Sequence, residues 1–195
     1  MTDTTETIAR RRTSADEPAI WLGCLHCYNC GRLVGHWFAA SGADEVTLAD
    51  VHRGSRVDFA REGCEEIWGL DIENMPVHRE MDAMEAARWG ALYDEVDDAD
   101  EWQAISAWVR SGDYIAEGDS DIPVLPDFRE RFCGTWDSME DYAYSLVDDL
   151  GMLDGMPEEV ARYFDHSAYA RDLRLSGEYS TVDAPDGGVY IFRCC

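Results

Sequence analysis

The chain contains no lysine. All 16 basic residues are arginine, set against 41 Asp and Glu for a formal net charge of −25 over 195 residues. A field of that sign repels nucleic acid and anionic membrane and attracts basic surfaces, so direct nucleic-acid binding and membrane binding are both excluded as expectations. Long apolar runs are also missing: nothing approaches the roughly 18 apolar residues of a membrane span. The first seventeen residues hold Arg10, Arg11 and Arg12 but no apolar stretch of the kind a secretory signal needs. The protein is expected to stay soluble in the cytoplasm, with its seven cysteines reduced and unpaired.

Catalytic signatures are missing as well. There is no G-x-S-x-G, no Walker loop and no G-x-G-x-x-G, and the histidines at 26, 36, 52, 78 and 166 form no H-E-x-x-H pair. A carboxylate pair for acid–base chemistry can be drawn anywhere among 41 acids, so it diagnoses nothing. The chain is read as a non-enzyme that needs no cofactor.

What is present is a foldable chain, 46% apolar, which suffices for a core. Residues 1–17 are polar and read as a disordered lead. From Ala19, A-I-W-L-G-C-L has strand character, Y-N-C-G supplies turn residues, and L-V-G-H-W-F resumes the strand, which predicts a hairpin. A short helix capped by Asp44 and a strand near Glu66–Ile72 complete residues 18–78. Residues 79–125 read as a helical module, with Met81, Met84, Leu92 and Val96 at helical spacing and a second helix capped at Asp100. Residues 126–195 carry a capping pair at Ser138 and Asp141, a helix to about Leu150, a helical start at Pro157, another helix after Asp165, and strands flanking P-D-G-G. The fold class is α+β, laid out as three small domains.

The run C-L-H-C-Y-N-C-G from Cys24 to Gly31 raises the question of a metal. A structural zinc site commonly joins two C-x2-C-type pairs distant in sequence, and the remaining cysteines, 64, 133, 194 and 195, supply no second pair. The iron–sulfur run also fails, because Val34 and Gly35 stand where Cys and Pro are required. If Cys24 and Cys27 share a strand they point to opposite faces. No metal site is expected, although a cysteine metalloprotein stays an alternative that elemental analysis decides.

The acids carry more pattern. On a helical wheel with Met139 at zero, Tyr142, Ala143, Leu146 and Leu150 fall within about 60° of it, and Asp137, Asp141 and Asp148 within about 20° of the opposite pole. Those carboxylates are four and seven residues apart, roughly 6 and 10 Å along the axis, on the scale of phosphate spacing in a duplex. An exposed face usually intersperses arginine or lysine, and this one has neither. Asp94, Glu95, Asp97, Asp98, Asp100, Glu101, Asp113, Glu117, Asp119 and Asp121 repeat the imbalance, with Arg110 as the one base between Ala91 and Asp121. Glu140, Asp149, Asp154, Glu158 and Glu159 extend it. An acidic proteome or a GC-rich genome is the bland explanation. The charge of residues 18–195, 37 acids against 13 Arg, equals that of about twelve base pairs of duplex.

The chain resembles the ArdA-type antirestriction proteins. The resemblance rests on P-A-I-W-L-G-C-L-H-C-Y-N-C-G-R-L-V-G-H-W-F, on G-T-W-D-S-M-E-D-Y-A-Y-S-L-V-D-D-L-G-M-L-D-G-M-P-E-E-V-A-R-Y-F-D, and on Y-A-R-D-L-R-L-S-G-E-Y with the terminal hairpin. It implies an elongated, curved protein of three domains that mimics bent B-form DNA and works as a homodimer. In the family such a protein occupies the DNA groove of type I restriction–modification enzymes, whose methyltransferase core is the expected partner, on behalf of plasmids, transposons or phages. The run Leu146–Gly151 with Met152 and Leu153 matches the family's antirestriction motif, and the implied dimer contact maps near Phe128, Phe132 and Cys133. Family members commonly lack cysteine at the positions of Cys27 and Cys30, which implies substitutions there and not a site. The alternative is an acidic protein that occupies the DNA-binding surface of another basic DNA-handling or defence protein.

Overall fold

The computed structural model describes residues 17–96, 98–116, 118 and 120–194. The N-terminal lead lies outside them except for Glu17, which is buried. The chain divides into two compact units, Met1–Trp102 and Gln103–Cys195, with the division inside one helix. The fold is α+β, with a three-stranded antiparallel sheet in each unit.

In the first unit the order is β1 (Ala19–Cys24), α1 (Leu25–Asn29), β2 (Gly35–Ala39), a 3-10 turn (Ala40–Glu45), α2 (Leu48–Val51), α3 (Phe59–Glu62), β3 (Ile67–Glu73), α4 (Ala83–Val96) and the start of α5 (Ala99–Ser111). The sheet runs β2-β1-β3. As the central strand β1 is buried at five of its six residues, which explains its continuous apolar character. The predicted pairing of β1 with β2 is present, from Ala19 opposite Ala39 to Gly23 opposite Gly35. Their connection is not a simple turn: it contains the helical turn α1 and then Gly31, whose φ of 72° suits glycine.

Two predicted caps shift. Thr47, not Asp44, caps α2, in a capping box with Asp50. The Glu101 N–H donates to Asp98 Oδ1 at 2.8 Å, so Asp98 takes the place expected of Asp100. Each expected cap lies two or three residues from another side chain able to accept an N-terminal N–H, the Thr47 hydroxyl or the Asp98 carboxylate.

Helix α4 packs on the 3-10 turn, and Gly90 makes the approach possible: a Cβ there would meet Ser41 N at 2.0 Å and Ala40 C at 2.5 Å. Those obstacles are backbone and cannot rotate away. Gly90→Ala is expected to cost about 2–3 kcal/mol as overpacking, read as a lower urea midpoint at constant m-value.

The second unit holds the rest of α5, then α6 (Leu125–Arg131), β4 (Phe132–Trp136), α7 (Met139–Asp149), α8 (Glu158–Ala161), α9 (His166–Leu175), β5 (Tyr179–Asp183) and β6 (Val189–Arg193). The predicted hairpin is β5 with β6, and β4 joins it on the far side of β6 to give the order β4-β6-β5. The sequence hides β4, since F-C-G-T-W contains a glycine at φ 100° and a register shift between Phe132 and Thr135. Helix α7 lays Met139, Tyr142 and Ala143 against Ala170, Leu173 and Ile191. A second group of rings joins Trp108, Phe128, Phe132 and Phe192, with Phe128 and Phe132 stacked at 5.1 Å between centroids.

Candidate partner-binding surface

Helix α7 is where the acidic pattern and the fold meet. Ser138 caps it, its Oγ accepting from Asp141 N–H at 3.1 Å and donating to Asp141 Oδ2 at 2.5 Å. Met139, Tyr142, Ala143 and Val147 are buried, and Asp137, Glu140, Asp141, Asp148 and Asp149 are exposed. The helical wheel is right about these residues and wrong at Leu150. That side chain is 63% exposed: Leu150 keeps the helical phase, with αR dihedrals and its N–H donating to Leu146 O at 3.1 Å, but as the C-cap it stands past Val147, the last buried residue of α7.

Beyond the helix, Gly151 at φ 59° turns the chain into a stretch that returns across the C-terminal end of α7. A cleft of about 400 Å³ forms there, and Asp148, Asp154 and Glu158 line it together with Tyr144, Arg162 and His166. The fold therefore gathers three acids that are ten residues apart in sequence. Glu159 is also exposed. From Asp137 to Glu159 there are eight acids and no arginine, lysine or histidine.

The other expected acids are placed similarly within their own units. Asp94, Glu95, Asp98 and Asp100 are exposed and Glu101 is half-buried in the first unit; Asp113 and Asp121 are exposed in the second. Asp97, Glu117 and Asp119 lie outside the described residues. The ion pairs Arg32–Glu62, Arg53–Asp50, Arg79–Glu85 and Arg171–Asp172 use none of the acids on or beyond α7 expected to face a partner. Apolar side chains stand exposed among these acids: Leu150, Met152, Met156, Val160 and Tyr163, the last by 83%.

Of the residues mapped to a dimer contact, Phe128 is 1% exposed and sits in the aromatic core. Phe132 and Cys133 are half-buried on β4, the edge strand of its sheet.

The cysteines are where the structure departs furthest from the sequence reading. Cys24 ends β1, but Cys27 belongs to α1, so the strand alternation that separated them does not apply. Cys24 is the N-cap of α1, and its Sγ accepts from Cys27 N–H at 3.5 Å, which turns both thiols to one side. His52, the C-cap of α2, and Cys64, which follows α3, reach the same point. The Cys27 Sγ lies 3.7 Å from His52 Nε2 and 3.9 Å from Cys64 Sγ. All four side chains are buried, and burial pushes the Cys27 thiol up and the Cys64 thiol up to about 12. Cys30 is exposed and faces His26 Nε2 at 3.8 Å, outside the cluster.

No helix among the described residues is long and apolar enough to cross a membrane. No curated protein matches the chain, whereas the family model described as antirestriction protein (ArdA) matches residues 20–186. That span takes in the first sheet from Ile20 onward, strands β4 and β5 of the second, the α7 carboxylates and the cleft, so the chain belongs to the ArdA antirestriction protein family.

Proposed function

We propose that this antirestriction protein works by imitating duplex DNA: its carboxylates stand in for phosphates and fill the DNA-binding groove of the methyltransferase core of a type I restriction–modification enzyme. Family membership implies an encounter with restriction enzymes; the mode and the class of enzyme are our reading. The observation that carries it is the last turn of α7. Asp148 and Asp149 sit there with no basic residue in the turn, at the negative end of the helix dipole, where a carboxylate is disfavoured. Asp148 has no ion-pair partner among the described residues. Acids selected for solubility alone have no reason to prefer that end, whereas acids selected for a basic partner do.

The reading extends to Asp94, Glu95, Asp97, Asp98, Asp100, Glu101, Asp113, Glu117, Asp119 and Asp121, to a three-domain layout at 18–78, 79–125 and 126–195, and to a homodimer. The outer edge of β4 supports the last, since an unpaired strand edge is a template for a second copy, with Phe132 and Cys133 at the contact and Phe128 behind them. The exposed apolar residues between Leu150 and Tyr163 favour a second reading, in which the partner is another basic DNA-handling or defence protein with an apolar ridge of its own.

Competition decides between them. With purified methyltransferase core, excess unmodified duplex DNA is expected to displace the inhibitor. Raising salt from about 50 to 200 mM should weaken binding by at least tenfold, as for contacts that replace phosphates. Inhibitor binding indifferent to saturating duplex would refute mimicry, and capture of the inhibitor by a different DNA-handling protein at higher affinity would favour the second reading.

A further inference from the structure

The geometry points to a structural zinc site in the first unit, built from the thiolates of Cys24, Cys27 and Cys64 and from Nε2 of His52. The four ligand atoms lie within 4.8 Å of one another. Around tetrahedral zinc, with Zn–S near 2.3 Å and Zn–N near 2.0 Å, two sulfurs stand about 3.8 Å apart and a sulfur and a nitrogen about 3.5 Å. The Cys27–Cys64 and Cys27–His52 separations of 3.9 and 3.7 Å lie within about 0.2 Å of those values. The two sulfurs are too far apart for a disulfide, in which they stand about 2.05 Å apart.

Two further features are those of a built site. The His52 Nδ1–H donates to Leu48 O at 2.8 Å, which leaves the Nε2 lone pair free and aimed at the sulfurs, the arrangement by which an outer partner orients a metal-bound imidazole. The Cys27 N–H donates to Cys24 Sγ at 3.5 Å, which fixes the position of that sulfur beside the other three ligand atoms. The site also has a structural purpose. It ties the end of β1 and the helical turn α1 to the short helices α2 and α3, each of four residues, which are too brief to hold themselves. Binding releases the thiol protons and creates three Zn–S bonds and one Zn–N bond, with no redox change. The two groups of the C-L-H-C-Y-N-C motif that look most like ligands beside Cys24 and Cys27, His26 and Cys30, are not among the four.

The test uses the full chain, purified without a histidine tag and without chelator. Elemental analysis is expected to find about one zinc per chain. After removal of zinc, Co²⁺ is expected to restore a visible tetrahedral spectrum with sulfur-to-cobalt charge transfer, and the zinc-free protein to melt more than about 5 °C lower. Cys64→Ser and His52→Gln should each lose or redshape that spectrum, while Cys30→Ser and His26→Gln keep the full equivalent. Wild-type protein with less than a tenth of an equivalent of zinc and no thiolate–cobalt band would overturn the site, and so would loss of metal from Cys30→Ser equal to that from Cys64→Ser. Where a ligand variant does not fold, the wild-type cobalt spectrum decides alone. None of these readouts involves a restriction enzyme, so the result stands apart from the mode of inhibition.

Discussion

Replacing Asp141 and Asp148 together with arginine is expected to lower inhibitory potency at least 100-fold while leaving the stability of the chain nearly unchanged. Each reversal moves the local charge by two units on a face that otherwise carries acids alone between Asp137 and Glu159. Against a basic groove, like charges brought together cost several kcal/mol, and a 100-fold loss needs only about 2.7 kcal/mol. Stability is spared because the two residues sit at opposite ends of α7. Asp141 lies in its first turn, beside the Ser138 cap, and Asp148 in its last. Arginine at the first position opposes the dipole, and arginine at the second complements it, each by about 0.3–1 kcal/mol.

The single variants separate function from folding. Asp148→Arg should melt at a higher temperature than the natural protein and inhibit less. Asp141→Arg should melt lower and inhibit less. Thermal unfolding beside a restriction-protection titration reads both quantities, and a double reversal with unchanged potency would remove these two acids from the contact. A residue that works against its own helix and is kept for a partner is the usual form of a trade between stability and activity.

Phe128→Ala is expected to destabilise the chain by about 3–5 kcal/mol, the range for a fully buried phenylalanine. The ring is 1% exposed and has Trp108 at 5.6 Å, Phe132 at 5.1 Å and Phe192 at 6.2 Å between centroids. Removing it leaves a void under the sheet that the neighbouring rings, fixed on α5, β4 and β6, do not close. Chemical denaturation gives the change in free energy, and a loss under about 1 kcal/mol would mean that the cluster collapses onto the gap. The same variant bears on the proposed homodimer: if the chain dimerises, a smaller dimer population in Phe128→Ala follows from a weakened unit, whereas an effect confined to Phe132 or Cys133 variants that keep their stability reports a contact between copies.

Much of the fold was legible because it is local. The apolar run of β1 marks a strand buried on both faces, Ser138 and Asp141 mark the start of α7, Asp165 marks α9, and P-D-G-G marks the β5–β6 hairpin. In each case the signal and the structure lie within a few residues of one another. The exposure of the α7 acids followed from the wheel for the same reason. Strand β4 was hidden because its irregular register spoils the alternation that identifies a strand. The caps fall at Thr47 and Asp98 and not at Asp44 and Asp100 because several side chains able to accept an N-terminal N–H stand within two or three positions of one another. Leu150 is exposed against its wheel position because a periodicity says which face a residue occupies and not how far along the helix the core extends.

By itself the sequence determined the sign and density of the charge, the α+β class and the family, since composition, period and motif are properties of order along the chain. Tertiary structure alone decided which distant groups meet. Asp148, Asp154 and Glu158 share a cleft because Gly151 reverses the chain. Cys24 and Cys27 meet His52 and Cys64 because one helical turn cancels the strand alternation and two short helices bring their ends to the same buried point. The spacing of ligands in sequence is free to vary as long as loops close at a modest entropic cost that grows only with the logarithm of their length, so a ligand set is fixed by the fold and not by a motif.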